Sequence, residues 1–154
     1  MVNTYFMVKA LNQMCEIAAI IGKTDDILEY KEKAEQRKKA IQAAYFNTFD
    51  GNFVMNAQGA NAFAVDIGLG DEKTYPNMVN YYKMLGHYDT GIFATDVLTR
   101  ILFEHGDDDL AIDLLTNNGE QGFAHWKQNE ATTLHEYWDS NRSSPNGLLF
   151  AALL

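Results

Sequence analysis

Cysteine, positive charge and long apolar runs are all scarce in this chain of 154 residues. Cys15 is the single cysteine, which excludes an internal disulfide framework and a cysteine-rich metal site. A lone thiol among helically spaced apolar residues reads as a buried core group rather than a nucleophile. Twelve Lys and Arg stand against 21 Asp and Glu, giving a formal net charge of −9. The basic side chains gather mainly at 31–39, with no basic face large enough to offset that charge against phosphates. Nucleic acid and anionic membrane are therefore excluded as partners. No stretch approaches the roughly 18 apolar residues that a membrane-spanning helix needs. The opening "MVNTYFMVKALNQMCEIAAIIG" carries Asn, Lys, Gln and Glu through its apolar positions, unlike a secretory leader. A soluble chain is expected, and its compartment is left undetermined.

Aromatic residues are abundant instead: nine Phe, eight Tyr and two Trp. The length suits one domain with a sizeable core, and much of the aromatic content must fill it. A surplus at a cleft is also what a carbohydrate-binding site needs.

The apolar spacing predicts a helix over 3–21, ended by Gly22, and a second over 24–46 with Thr24 as cap and Asp25 and Asp26 in its first turn. Asp50-Gly51 between aromatic residues signals a tight turn joining two short extended pieces. Further helices are expected over 58–69, from Thr74 to Leu85 before Gly86, from Thr95 to Glu104 before Gly106, and from Asp107–Asp109 to Leu115. "TNNGEQGFAHWKQNE" reads as loop, and "GLLFAALL" at 147–154 as a last apolar segment. The pattern is an all-α chain of helical hairpins wound side by side, with irregular or β pieces in its loops.

The segment "NEATTLHEYWDSN", 129–141, places Glu136 beside Tyr137 and Trp138. A desolvated carboxylate there would have a raised pKa suited to general-base work, with aromatic faces to stack on a sugar and Asp139 and Asn141 for its hydroxyls. The same spacing also suits a surface turn whose aromatics face the core. His125, His135 and Glu136 make a poor metal set, because His135 and Glu136 are adjacent and fit neither helical nor strand ligand spacing. His87 and His105 read as hydrogen-bonded structural residues. Gly68 and Gly70 lack the context of a nucleotide loop, and Ser143 and Ser144 lack that of a hydrolase elbow.

Two motifs in order carry a family resemblance. "GHYDTGIFAT", 86–95, followed by "DLAIDLL", 109–115, and then "ATTLHEYW", 131–138, resembles the C-terminal half of the catalytic domain of α-L-rhamnosidases. These are inverting glycoside hydrolases built on an (α/α)6 barrel. His87, Thr90, Gly91 and Thr95 match the first motif, and Ala131, Thr132, Thr133, Glu136 and Trp138 the last. "VNTYFMVKAL" and "NAQGANAFAVDIGL" are similar to earlier helices of the same half-barrel.

The resemblance implies that Glu136 is the general base and that Trp138, His87 and Trp126 line the sugar site, the family's loop tryptophan aligning with Phe123. It implies no cofactor and no metal. An inverting site needs a second carboxyl about 6.5–9.5 Å away, which the family carries on the first half of the barrel. Residues 1–154 are therefore expected to form a partial domain lacking the acid, with an altered or truncated C-terminus. The isolated chain is expected to be inactive, and its uncovered seam to drive self-association. The alternative is a non-catalytic scaffold binding a partner or carbohydrate. This chain also departs from the family: His135 replaces a Trp, Ala94 and Glu130 replace glycines, and Asn146-Gly147 stands where Asn-His-Pro is usual.

Overall fold

The computed structural model describes residues 1–130, except the side chain of Ile92, together with Trp138. Among the described residues there are seven α-helices and one two-stranded hairpin. They fall into two compact units, residues 1–74 and 75–154.

In the first unit α1 (Val2–Ile20) and α2 (Thr24–Tyr45) pair as a hairpin. Gly22 between them takes a φ of 74°, a left-handed conformation open to it because it has no Cβ. Tyr5, Val8 and Ala18 of α1 and Ala34 and Ile41 of α2 are buried, as their three-to-four spacing requires. Cys15 is half-buried rather than buried, its thiol 3.8 Å from the carbonyl of Ile27. Thr24 starts α2 without capping it, although Asp25 and Asp26 do occupy the first turn.

The expected turn is present: β1 (Phe46–Asn47) pairs antiparallel with β2 (Asn52–Phe53). Gly51 sits between them at φ 74° and donates its N–H to Asn47 at 2.8 Å. A 3-10 segment, Val54–Gly59, follows, in which Val54, Met55, Asn56 and Gln58 all have positive φ. That run cannot belong to a right-handed helix. The helix expected over 58–69 is accordingly shorter, α3 (Ala60–Asp66).

Asp66 joins the ends of this unit. Its side chain is only 4% exposed, with Lys9 Nζ at 3.0 Å and the Tyr5 hydroxyl donating at 2.5 Å. A carboxylate so enclosed requires such partners to remain ionised. Asn61, fully buried, accepts the Phe53 N–H at 2.8 Å and donates to Asn52 Oδ1 at 2.9 Å and to the Thr74 carbonyl at 3.2 Å. Thr74, expected to cap the next helix, instead donates its hydroxyl to the Gly51 carbonyl at 2.8 Å and accepts the Asp71 N–H at 3.0 Å. It ties the loop to the β-hairpin.

The second unit contains α4 (Thr74–Leu85) from Tyr75 onward, α5 (Ile92–Glu104), α6 (Asp108–Leu115) and α7 (Phe123–Gln128). Met78 and Tyr82 of α4, Leu98, Ile101 and Leu102 of α5, and Leu114 of α6 are buried in its core. Helix α5 starts at Ile92, before the expected Thr95, because Gly91 is the cap and its carbonyl accepts the Thr95 N–H at 3.0 Å. Helix α7 lies in the segment expected to be loop. Its Phe123 and Trp126 stand three apart on one face and supply the packing that so short a helix needs. His105 is structural, as expected: its Nδ1 lies 2.9 Å from the Ile101 carbonyl and its ring stacks on Tyr75 at 4.2 Å. The apolar segment at 147–154 lies outside the described residues.

Candidate functional site

Gly86, at φ 73°, ends α4 and turns the chain into residues 87–91. Here successive side chains leave in opposite directions, the habit of extended backbone. Tyr88 is fully buried and its hydroxyl lies 2.7 Å from Thr99 Oγ1 on α5. Asp89 turns to α4 and accepts hydrogen bonds from the hydroxyls of Tyr81 and Tyr82, both at 2.7 Å. Thr90 points back to α5, its hydroxyl 2.7 Å from that of Thr95. Thr95 in turn donates to the Gly91 carbonyl at 3.1 Å, and Thr99 to the Thr95 carbonyl at 2.7 Å. Three buried threonines thus fix the loop to the first turns of α5.

Trp138 is seated on this loop. Its indole N–H donates to the Thr90 carbonyl at 2.6 Å, and its ring lies parallel to Tyr88, centroids 5.7 Å apart and planes 9° apart. Phe123 meets it edge-on at 5.3 Å, and Trp126 lies against it at 5.1 Å and 30°. The Trp126 indole N–H reaches the Trp138 carbonyl at 3.3 Å. Four aromatic rings from the loop, α7 and position 138 therefore form one cluster, with offset and edge-on geometries favoured by ring quadrupoles. Trp138 is half-buried, whereas Trp126 is 3% exposed. Trp126 is thus the more deeply buried of the two indoles.

His87 is half-buried beside this cluster in sequence, its Nδ1 2.9 Å from the Tyr88 carbonyl. Of the predicted site residues the structure thus brings Trp138 and Trp126 together. Glu136, with Ala131 to Thr133 and His135, lies outside the described residues. His125 approaches Asn129 Nδ2 at 3.0 Å. Among the described residues no group of three His, Cys, Asp or Glu side chains could hold a metal, and no helix is long and apolar enough to cross a membrane. Tyr88 and Asp89 were not singled out from the sequence. The alternation of aromatic and polar groups through Tyr88, Asp89 and Thr90 is a signal that was available in the sequence and went unread.

Burial shifts the tyrosines of this unit. It pushes the Tyr88 phenol up to about 12, against a small opposing effect of the Thr99 hydrogen bond. Tyr82 is raised further, by burial first and by its bond to Asp89 second. Tyr81 is raised mainly by its bond to Asp89. With the folded value above the unfolded 10.0, Tyr88 contributes stability fully present below pH 10 and lost as pH rises through about 12. Denaturant unfolding across that window is expected to show falling stability. Phenolate absorbance in the native protein is expected to lag behind that of the unfolded chain.

Comparison with known proteins agrees with this architecture. Residues 1–150 match the family described as the bacterial alpha-L-rhamnosidase 6 hairpin glycosidase domain. An alpha-L-rhamnosidase of Formosa agariphila is 24% identical over 145 residues, covering 91% of this chain and 16% of that protein. The fold superimposes on the Streptomyces avermitilis alpha-L-rhamnosidase complexed with L-rhamnose with a TM-score of 0.79 at 24% identity, covering 94% of this chain and 14% of that one. For the alpha-L-rhamnosidase from Dictyoglumus thermophilum the TM-score is 0.81 at 20% identity, covering 97% of this chain and 19% of that one. The chain therefore spans about a sixth of the length of the curated relative, whose covered share is 16%. Its helical-hairpin architecture is that of part of the six-hairpin (α/α) barrel, and with nearly every residue inside one family description, the chain belongs to the bacterial α-L-rhamnosidase six-hairpin glycosidase family.

Proposed function

We propose that this chain supplies the general-base side of an inverting α-L-rhamnosidase site. Glu136 takes the proton of the attacking water, Trp138 stacks on the apolar face of a terminal rhamnose, and His87 bonds a hydroxyl at the rim. Trp126 lies behind Trp138 and holds its angle. The supporting observation is the seat of Trp138: its indole bonds to Thr90 and stacks on Tyr88. This joins "GHYDTG" to Trp138 in space, and Trp138 follows the proposed base by two residues in the chain. The general acid is assigned to the half of the barrel that the family carries ahead of these hairpins, so residues 1–154 act as a partial domain.

Titrating the chain with L-rhamnose and following tryptophan fluorescence tests the reading. A saturable response is expected, weakened roughly tenfold or more by Trp138→Ala, about the effect of losing one good stacking contact. A response unchanged in that variant overturns the role of Trp138. Hydrolysis of an aryl α-L-rhamnoside by the isolated chain, if abolished by Glu136→Gln, overturns the placing of the acid elsewhere.

Self-association belongs to the same reading. Val2, Phe6, Met14, Ile17, Ile20 and Ile21 are 39–84% exposed on or just beyond α1, an apolar surface of the kind that draws a partner. A second copy of the chain is the proposed occupant. Light scattering is expected to give a mass that rises with concentration, and a clean monomer across a wide range contradicts it.

A further inference from the structure

We propose that Asp89 is a positioning residue that sets the angle of the Trp138 wall, an inference whose functional half rests on the sugar-site reading above. Both contacts that orient Trp138 on the loop come from the neighbours of Asp89: the Tyr88 ring on one side and the Thr90 carbonyl on the other. Asp89 itself faces the opposite way and is held by two hydroxyls on consecutive residues of α4, Tyr81 and Tyr82. Their rings meet edge-on at 5.0 Å and 84°, so both phenols converge on one carboxylate. Tyr82 is fully buried, which fixes one donor rigidly within the core.

A carboxylate accepting two O–H donors makes charge-assisted bonds, stronger than neutral ones. Short backbone between two such anchors cannot slide. The threonine bonds fix the α5 side of the loop, and the Asp89 clamp fixes its α4 side. Removing the clamp frees Tyr88 and Thr90 to shift together, and the indole shifts with them. The two bonds of Asp89 run to α4 and away from Trp138, so its action on the indole passes through the loop.

The indoles of Trp126 and Trp138 are the two tryptophans of the chain. Their centroids are 5.1 Å apart, close enough for an exciton couplet in circular dichroism that reports their mutual angle. Asp89→Leu and the double variant Y81F/Y82F are compared with Asp89→Asn, which keeps one acceptor oxygen. Expected results are a collapsed couplet and rhamnose affinity lowered roughly tenfold, a shift of one decade in Kd, in Asp89→Leu and in Y81F/Y82F. Helical ellipticity is expected to stay unchanged, and Asp89→Asn to retain most of the couplet. If Asp89→Leu fails to fold, Y81F/Y82F decides alone. A wild-type couplet in a folded Asp89→Leu or Y81F/Y82F, even with a lowered melting temperature, overturns the proposal and leaves Asp89 a purely structural group. Should the wild-type chain show no response to rhamnose while the couplet still collapses, the positioning role stands and only the sugar reading falls.

Discussion

Glu136→Gln, made in this segment joined to the remaining hairpins of the barrel, is expected to lower kcat for aryl α-L-rhamnoside hydrolysis by roughly 10³-fold, with KM little changed. Glutamine keeps the shape of the side chain and one acceptor oxygen, but it cannot take the proton of the attacking water. The stacking contact proposed for Trp138 is untouched by this change, so the loss is expected on the chemical step rather than on binding. The wild-type rate is expected to fall as pH drops below the pKa of the base, and that acidic limb to vanish from the residual rate of the variant. Steady-state kinetics across pH checks both. A kcat within a few-fold of wild type removes Glu136 from the base role.

The second large effect falls on stability. Asn61→Leu is expected to lower the unfolding free energy by about 3 kcal/mol, read as a lower denaturant midpoint. Leucine fills a similar volume, so the loss arises from hydrogen bonds and not from a cavity. The buried Phe53 N–H loses its acceptor, and Asn52 and the Thr74 carbonyl each lose a donor. Phe53 is itself fully buried, so water cannot replace the missing acceptor cheaply. An unchanged midpoint indicates that this network contributes nothing net.

The helices that pack along a continuous apolar face were legible in the sequence. Three-to-four spacing gave α1, α2 and α4 almost to the residue, helped by a closing glycine for α1 and α4, and Asp50-Gly51 gave the turn between β1 and β2. Other features depend on side-chain geometry that no spacing reveals. Val54, Met55 and Gln58 adopt left-handed backbone without being glycine, so the shortened start of α3 was invisible. Thr95 looks like a cap, yet its hydroxyl bonds back to Gly91 from within α5, a use of threonine that sequence alone does not distinguish from capping. Helix α7 is six residues long, too short for a period, and its segment was therefore read as loop.

The site divides in the same way. Trp138 was singled out through the motif that carries the family resemblance, and the structure seats it on the loop after α4. The roles of Tyr88, Asp89 and Phe123 were not, since each depends on the loop after α4 folding back between two helices. Trp126, expected to line the sugar site, is 3% exposed and packs against Phe123 and Trp138.

Rescue by azide tests the assignment of Glu136 most directly. Glu136→Gly, in the segment joined to the remaining hairpins, removes the proposed base and is expected to leave room for an anion beside the anomeric carbon. Azide needs no base to attack the anomeric carbon. With an aryl α-L-rhamnoside carrying a good leaving group, the expected outcome is an azide-dependent rate and β-L-rhamnosyl azide as product. An α-configured azide, or a rate indifferent to azide, contradicts it.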